Sequence, residues 1–105
     1  MTMKVAAIMR KRVETIEEIL SIQDSAKKMK DKYVSSLVAV NIDGKPQGIV
    51  TERDLVRKVC VNDVRTSIVT NKEIMSSIIT IEYSSSTSEA ADKMLQYNIR
   101  HLLVL

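Results

Sequence analysis

The residues whose types and spacing could perform chemistry lie in one stretch, Gly48-Ile49-Val50-Thr51-Glu52-Arg53-Asp54. Its apolar residues run directly into Thr-x-x-Asp, and further apolar residues follow from Leu55 at helical spacing. This order predicts a buried strand that ends at the start of a helix. Thr51 is placed to be the N-cap of that helix, and Asp54 to be its capping-box partner.

Such a helix start could bind an anionic ligand. The N-terminus of a helix presents backbone N–H groups and a partial positive charge, which together favour anions. Thr51 adds a hydroxyl and Arg53 a cation, while the Asp54 carboxylate could accept hydrogen bonds from the vicinal hydroxyls of a ribose. A structural interpretation stands beside this one, since Thr-x-x-Asp before an apolar run is first of all a helix cap. The stretch taken alone favours the cap.

Composition excludes several classes of protein. A chain of 105 residues that is 45% apolar and 28% charged predicts one compact unit at most, with an ordinary soluble balance. No stretch approaches the roughly 20 apolar residues of a membrane span, and the N-terminus has no signal-peptide pattern. We therefore expect a cytoplasmic protein.

Two residue types that often mark active sites occur once each. Cys60 cannot form an internal disulfide, which fits a reducing compartment, and its place beside Val59 predicts a buried thiol. His101 lies in an apolar run with no second ligand type clustered nearby. Because the sequence offers no nucleophile with a base and no metal cluster, we expect no catalytic residue and no metal site.

Hydrophobic periodicity and turn residues predict alternating strands and helices. Ser21-Ile22-Gln23-Asp24 is a second capping box, and the helix that it opens would bury Ile22, Ala26 and Met29. Asp43-Gly44 is a strong hairpin signal between two strands. The predicted elements are strand 13–16, helix 22–32, strand 36–40, strand 47–50, helix 52–60 and a polar connector at 61–70. The fold class is therefore α/β (α+β).

The pattern then starts again at a constant offset. Thr80 follows Thr15 by 65 residues, and Met94 follows Met29 by the same offset. A repeat of this length is one supersecondary unit, strand–helix–strand–strand–helix, that occurs twice. Up to Leu105 the second copy contains only its first half. A longer chain or another chain would complete it, and the sequence leaves both open.

In combination these features resemble a CBS domain pair, also called a Bateman module. The resemblance is carried by Ile8-Met9 and Ile74-Met75 at the repeat starts, the Ala-x-x-Met helices, the Asp-Gly hairpin and the match of residues 48–54 to the family's Gly-h-h-Ser/Thr-x-x-Asp signature. It implies tandem CBS motifs as a pseudo-two-fold pair, each a small sheet packed with two helices in the order β-α-β-β-α. Its boundaries would be a first motif at 1–61, a linker at 62–72 and the first half of a second motif at 73–105.

The resemblance also implies a function, that of a non-enzymatic regulatory module. Such modules bind an adenosyl nucleotide, such as AMP, ADP, ATP or S-adenosylmethionine, in clefts between the two motifs, and no further cofactor is required. They typically form homodimers. The resemblance implies that ligand binding would regulate a protein target of unknown identity. It implies no membrane partner.

The family's contact positions in the first motif can be placed on this sequence. By the resemblance, Asp54 would bind the ribose hydroxyls, while Thr51 and Arg53 would meet phosphate. The backbone near Ile49 and Ser35 would line the pocket.

The second motif supplies three further positions. Ile79 and Ile99 would sandwich the adenine, and Arg100 would pair with phosphate. Plain core packing is the alternative for the two isoleucines. For Arg100 the alternative is a structural salt bridge.

Two other functions stay open at this point. The paired motifs could serve only as a dimerisation scaffold, since the second copy is incomplete and no aromatic residue stands at the adenine positions. Nucleic-acid binding is less favoured; it would use Arg10-Lys11-Arg12 or Lys27, Lys28 and Lys30, and it would weaken steeply with salt. The net charge of +3 equally suits a phosphate-bearing ligand, and the predicted strands lack aromatic residues for stacking bases.

Overall fold

The computed structural model describes residues 3–5, 13–97, 99 and 101–105. The repeat start Ile8-Met9, the basic group Arg10-Lys11-Arg12 and the predicted contact residue Arg100 lie outside these residues. The fold is mixed α/β, as the sequence predicts. The chain divides into two compact units, a first unit of Val13–Ser77 and a second unit of Met1–Arg12 with Ile78–Leu105.

The first unit is built on a three-stranded sheet. Its strands are β1 (Thr15–Glu17), β2 (Ser36–Val40) and β3 (Pro46–Thr51), in the order β1-β2-β3. β1 pairs with β2 in parallel, and β2 pairs with β3 in antiparallel across a tight loop. Gly44 in that loop has a φ of +77°, which glycine adopts without a Cβ clash. The predicted strands 36–40 and 47–50 and the hairpin are confirmed, whereas the strand predicted at 13–16 is found at Thr15–Glu17.

Three helices accompany the sheet. α1 (Ile22–Lys32) begins where Ser21 Oγ accepts a hydrogen bond from Asp24 N at 3.2 Å, as the Ser-x-x-Asp spacing predicts. α2 (Glu52–Asp54) follows β3 without a break and continues as a π-helical turn, Leu55–Cys60. α3 (Asn71–Ile74) comes after the predicted connector. After α3 the chain returns to the sheet, where Ser76 forms backbone hydrogen bonds with Ile49 of β3.

The core of the first unit lies between the sheet and its helices. Ile22, Leu37 and Val50 are its largest fully buried apolar side chains. The prediction that Ala26 belongs to the buried side of α1 is wrong, because Ala26 is exposed and Ser25 is fully buried instead. Ile22 and Met29 are buried as predicted, so the error is confined to the position between them.

Ser25 can be buried because a polar partner meets it. Its hydroxyl donates to Asn71 Oδ1 at 2.5 Å, and Asn71 is also fully buried. The Asn71 amide donates in turn to the carbonyl oxygens of Leu20 at 2.9 Å and Glu17 at 3.2 Å. Buried polar groups need such partners. This network joins α1 to the first residue of α3 and so fixes the backbone that leads to Ser76.

The prediction that Cys60 is buried is also wrong. The thiol is exposed, whereas Val59 beside it is 3% exposed. Within the π-helical turn, Val61 N bonds to Val56 O five residues back, which makes the turn wider than that of an α-helix. Residues four apart share a face in such a turn, as they do in an α-helix. Leu55 and Val59 face the core, while Val56 and Cys60 are exposed.

The second unit repeats the opening of the first. It contains β4 (Thr80–Ile81), α4 (Thr87–Tyr97) and β5 (Leu103–Val104). β4 pairs with β5 in parallel with Thr80 opposite Leu103, and in the first unit Thr15 lies opposite Val38. Both partners are displaced by the same 65 residues, so the sequence repeat is a repeat of strand pairing. Within the described residues, none of the helices has the length and apolar character that crossing a membrane requires.

Candidate functional site

Thr51 and Asp54 form the capping box that their spacing predicts. Asp54 N donates to Thr51 Oγ1 at 3.1 Å, and Thr51 N donates to Asp54 Oδ2 at 3.0 Å. The Thr51 hydroxyl lies 3.1 Å from the same carboxylate oxygen and donates to it. The capping role of both residues is confirmed, and it joins the end of β3 to the start of α2.

The second carboxylate oxygen of Asp54 has two further donors. Ser76 Oγ donates to Asp54 Oδ1 at 2.8 Å, and Lys58 Nζ lies 3.1 Å from the same atom. Asp54 is only 7% exposed, so its charge needs a compensating partner, which Lys58 supplies. A carboxylate offers about four acceptor positions, and the two Thr51 donors, Ser76 and Lys58 use them all.

Lys58 ties two parts of the first unit together. Besides the Asp54 carboxylate, its ammonium donates to Ile74 O at 2.9 Å and to Ser76 Oγ at 3.0 Å. The Lys58 side chain is nevertheless 43% exposed, so water reaches it. The π-helical turn is thereby linked to the chain that follows α3.

Ser76 reaches Asp54 because its backbone pairs with β3. Ile49 N donates to Ser76 O at 2.9 Å, and Ser76 N donates to Ile49 O at 2.8 Å. Gly48 permits this approach, since a Cβ at that position would lie 2.6 Å from Met75 Sδ and 3.0 Å from Ser76 O. The glycine of the motif therefore has a packing role, and both backbone polar groups of Ile49 are used within the chain.

Ser35 and Arg53 lie beside the capping box. Glu52 N, the first N–H of α2, donates to the carbonyl oxygen of Ser35 at 3.0 Å. Arg53 is half-buried on α2. The N–H groups of Glu52 and Asp54 thus already have acceptors within the chain, which leaves less of this helix start for an anion than its sequence suggests.

The predicted contact residues fall into both units. Those in the first unit, on or beside β3 and α2, are Ser35, Ile49, Thr51, Arg53 and Asp54. Ile79 and Ile99 are half-buried residues of the second unit. Ile79 O accepts a hydrogen bond from Leu103 N at 3.0 Å, and Ile99 N donates to Met94 O at 2.9 Å. Contact of these residues with a ligand stays a prediction.

Sequence reasoning missed Lys58 and Ser76. Lys58 had a usable signal, because it follows Asp54 by four residues, the spacing at which helical side chains meet. Ser76 had none, since it lies 22 residues from Asp54 and only its pairing with Ile49 brings it close. In the part of the chain that the structure describes, no group of three or more His, Cys, Asp and Glu side chains is placed to hold a metal ion.

Comparison with known proteins gives a family match over most of the sequence. The model of the CBS domain family matches residues 5–60 and 72–105. An uncharacterized 17.7 kDa protein of Acidianus ambivalens is 28% identical over 105 residues, which are 100% of this chain and 63% of that protein. The chain spans between 27% and 63% of the length of the curated relatives that it matches.

Solved structures share the fold. An uncharacterized conserved protein from Pyrococcus horikoshii has a TM-score of 0.93 at 27% identity, with 100% of this chain and 80% of that chain covered. A CBS domain protein from Pyrobaculum aerophilum, solved in complex with AMP, has a TM-score of 0.88 at 24% identity. The match covers 98% of this chain and 79% of that chain. At that identity the second similarity shows the fold alone.

Proposed function

Because the chain belongs to the CBS domain family, we propose that it is a non-catalytic regulatory module that binds an adenosyl nucleotide. AMP, ADP, ATP and S-adenosylmethionine are the candidate ligands. The proposed contacts in the first unit are made by the segment from Thr51 to Asp54, with Ser35 and Ile49 beside it. A cytoplasmic location, a homodimer and an unidentified protein target complete the proposal. Ile79, Ile99 and Arg100 stay predictions from the family resemblance.

The observation that carries the proposal is the buried carboxylate of Asp54 at the junction of β3 and α2. It lies within a stretch that matches every fixed position of the adenosyl-nucleotide signature, and it has a hydroxyl from Thr51 on one side. A buried carboxylate suits ligand hydroxyls, because it accepts hydrogen bonds at both oxygens, and a ligand hydroxyl would replace one of the donors from the chain. Arg53 on the same short helix supplies a cation for phosphate.

The choice of first ligand follows from a structural neighbour. The CBS domain protein from Pyrobaculum aerophilum is complexed with AMP. AMP also contains the two groups that the segment suits, a ribose with vicinal hydroxyls and a phosphate. We therefore place AMP first, followed by ADP, ATP and S-adenosylmethionine.

The experiment is a thermal-shift titration with variants that separate ligand contact from helix capping. Asp54→Ala removes the carboxylate and also breaks a capping box. Glu73→Ala is the matched control, because Thr70 N and Thr70 Oγ1 donate to Glu73 Oε2 at 2.7 and 3.1 Å in an equivalent box on α3. A ligand at 100 times its Kd should stabilise a binding protein by about 2.7 kcal/mol.

We expect AMP to raise the melting temperature of the wild type and of Glu73→Ala, but not that of Asp54→Ala. An Asp54→Ala protein that keeps the full AMP shift would confine Asp54 to capping. A wild type that responds to none of the four ligands would reject the nucleotide proposal.

A second candidate, a dimerisation scaffold without a ligand, is favoured by one observation. The four acceptor positions of Asp54 are satisfied by the chain itself, so its burial needs no ligand. A scaffold predicts a dimer by light scattering together with no thermal response to any of the four ligands. A monomer that responds to AMP would exclude it.

A further inference from the structure

We propose that the Lys58 side chain is an internal competitor for the Asp54 carboxylate, and that a ligand with vicinal hydroxyls binds by displacing it. This inference rests on the proposed function and adds a residue that sets the affinity of the same site. It follows from the contacts of Asp54, Lys58 and Ser76 in the first unit.

The carboxylate has no acceptor position to spare. Oδ2 holds the capping box, and replacing the Thr51 N–H there would undo the start of α2. Oδ1 is held by Ser76 and Lys58, neither of which belongs to the cap. A ligand hydroxyl that donates to Asp54 must therefore take a position at Oδ1.

Of the two donors at Oδ1, Lys58 is the one that can leave. The backbone of Ser76 is fixed by two hydrogen bonds to Ile49, at 2.8 and 2.9 Å, which keeps its short side chain beside Oδ1. The Lys58 ammonium stands at the end of a flexible four-carbon chain that is 43% exposed, so water can replace its partners as it moves. Lys58 therefore controls whether Oδ1 is available.

This arrangement predicts an unusual salt dependence. Adenosine has the vicinal hydroxyls and no charge, so its binding to a simple site should respond little to salt. Here salt screens the partly exposed ion pair between Lys58 and Asp54 and so weakens the competitor. The affinity of the wild type for adenosine should therefore rise with salt.

The test is calorimetric titration of adenosine into the wild type, Lys58→Met and Lys27→Met at low and high salt. Lys27→Met removes the same charge from an exposed position on α1 and serves as the control. We expect Lys58→Met to bind adenosine about five times more tightly than the wild type, because a partly exposed ion pair contributes about 1 kcal/mol. Its affinity should not change with salt, and Lys27→Met should behave like the wild type.

Two additions keep the result interpretable. 2′-Deoxyadenosine lacks one of the two hydroxyls, so it should gain less than adenosine from Lys58→Met. Lys58→Gln keeps a hydrogen-bond donor without the charge, and its affinity for adenosine should lie between those of the wild type and Lys58→Met.

The outcomes separate this inference from the proposed function. Adenosine binding that is equal or weaker in both folded Lys58 variants would overturn the inference and leave the nucleotide site in place. Adenosine binding by Lys58→Met but not by the wild type would support both. Absence of adenosine binding by every variant would overturn the inference, whereas the proposed function is rejected only if the thermal shift with AMP is absent as well.

Discussion

Ser76 Oγ lies 2.8 Å from Asp54 Oδ1, although 22 residues separate the two in the chain. This hydrogen bond is made possible by Ile49, whose backbone pairs with that of Ser76. The carboxylate that the sequence motif presents as a ligand contact is therefore already bonded to the segment that follows α3. A change in the motif should therefore also affect the segment around Ser76, and a change at Ser76 should affect Asp54.

Ser76→Ala should destabilise the protein by about 1–3 kcal/mol, because it removes a donor from a buried carboxylate. Urea denaturation of the variant measures the loss. Ser77→Ala is the control, since Ser77 is the exposed neighbour, and it should unfold at the wild-type urea concentration. Equal stability of Ser76→Ala and Ser77→Ala would mean that the Ser76–Asp54 bond contributes nothing.

Gly48→Ala should cost about 1–3 kcal/mol, because the new Cβ would lie 2.6 Å from Met75 Sδ and 3.0 Å from Ser76 O. Adding Met75→Ala should recover part of the loss by removing the nearest atoms, so the two changes should be non-additive in denaturation.

Gly44→Ala is the control for the double-variant comparison of Gly48→Ala with Met75→Ala. A Cβ at Gly44 would meet nothing within 4 Å, but the residue has a φ of +77°. Its cost of about 1 kcal/mol should therefore come from the backbone alone, and Met75→Ala should not relieve it. Strict additivity of Gly48→Ala and Met75→Ala would contradict the packing role of Gly48.

Asn71→Ala should destabilise by about 1–3 kcal/mol, because it leaves the Ser25 hydroxyl without its buried partner. The double variant with Ser25→Ala should lose less than the two single losses combined. Asn62→Ala is the control, since Asn62 is exposed and its amide bonds only to Lys58 O at 3.0 Å among its described contacts. Thermal unfolding of the wild type and of the four variants provides the measurement.

Tyr33→Gly should stabilise the protein by about 0.5–1 kcal/mol. Tyr33 closes α1 in the left-handed conformation, with φ 55° and ψ 43°, and its side chain is 91% exposed. Tyr33→Ala removes the same side chain but keeps the Cβ, so it should bring no such gain. A higher melting temperature for Tyr33→Gly alone is the expected result; a fall would show that the tyrosine side chain contributes contacts that its exposure does not suggest.

Local sequence signals were sufficient for much of the fold. The strands 36–40 and 47–50, the Asp43-Gly44 hairpin and the start of α1 at Ser21 all depend on residues close together in the chain. The offset of 65 residues also predicted that the opening of the strand–helix–strand–strand–helix unit would occur twice, and in the structure β4 pairs with β5 as β1 pairs with β2. The Thr51–Asp54 capping box belongs to the same class, since both partners lie within one helical turn.

The errors concern side chains whose burial depends on partners far away in the chain. Ser25 displaced Ala26 from the buried face of α1 because Asn71, 46 residues away, satisfies its hydroxyl. Cys60 is exposed because Leu55 and Val59 take the buried face of their turn, where they pack into a core that contains Ile22 and Leu37. Hydrophobicity alone ranks alanine and cysteine as buried and serine as exposed, and it contains no term for a specific hydrogen-bond partner.

The sequence by itself determined the family, the α/β repeat and the acidic motif at the end of β3. Only the tertiary structure decided how Asp54 is satisfied, because the Ser76 hydroxyl arrives through strand pairing with Ile49. Capping is encoded by residues three apart, whereas compensation of a buried charge depends on every element that packs against it. Lys58 stands between the two cases: its spacing is local, but its bond to Ile74 O requires the folded chain.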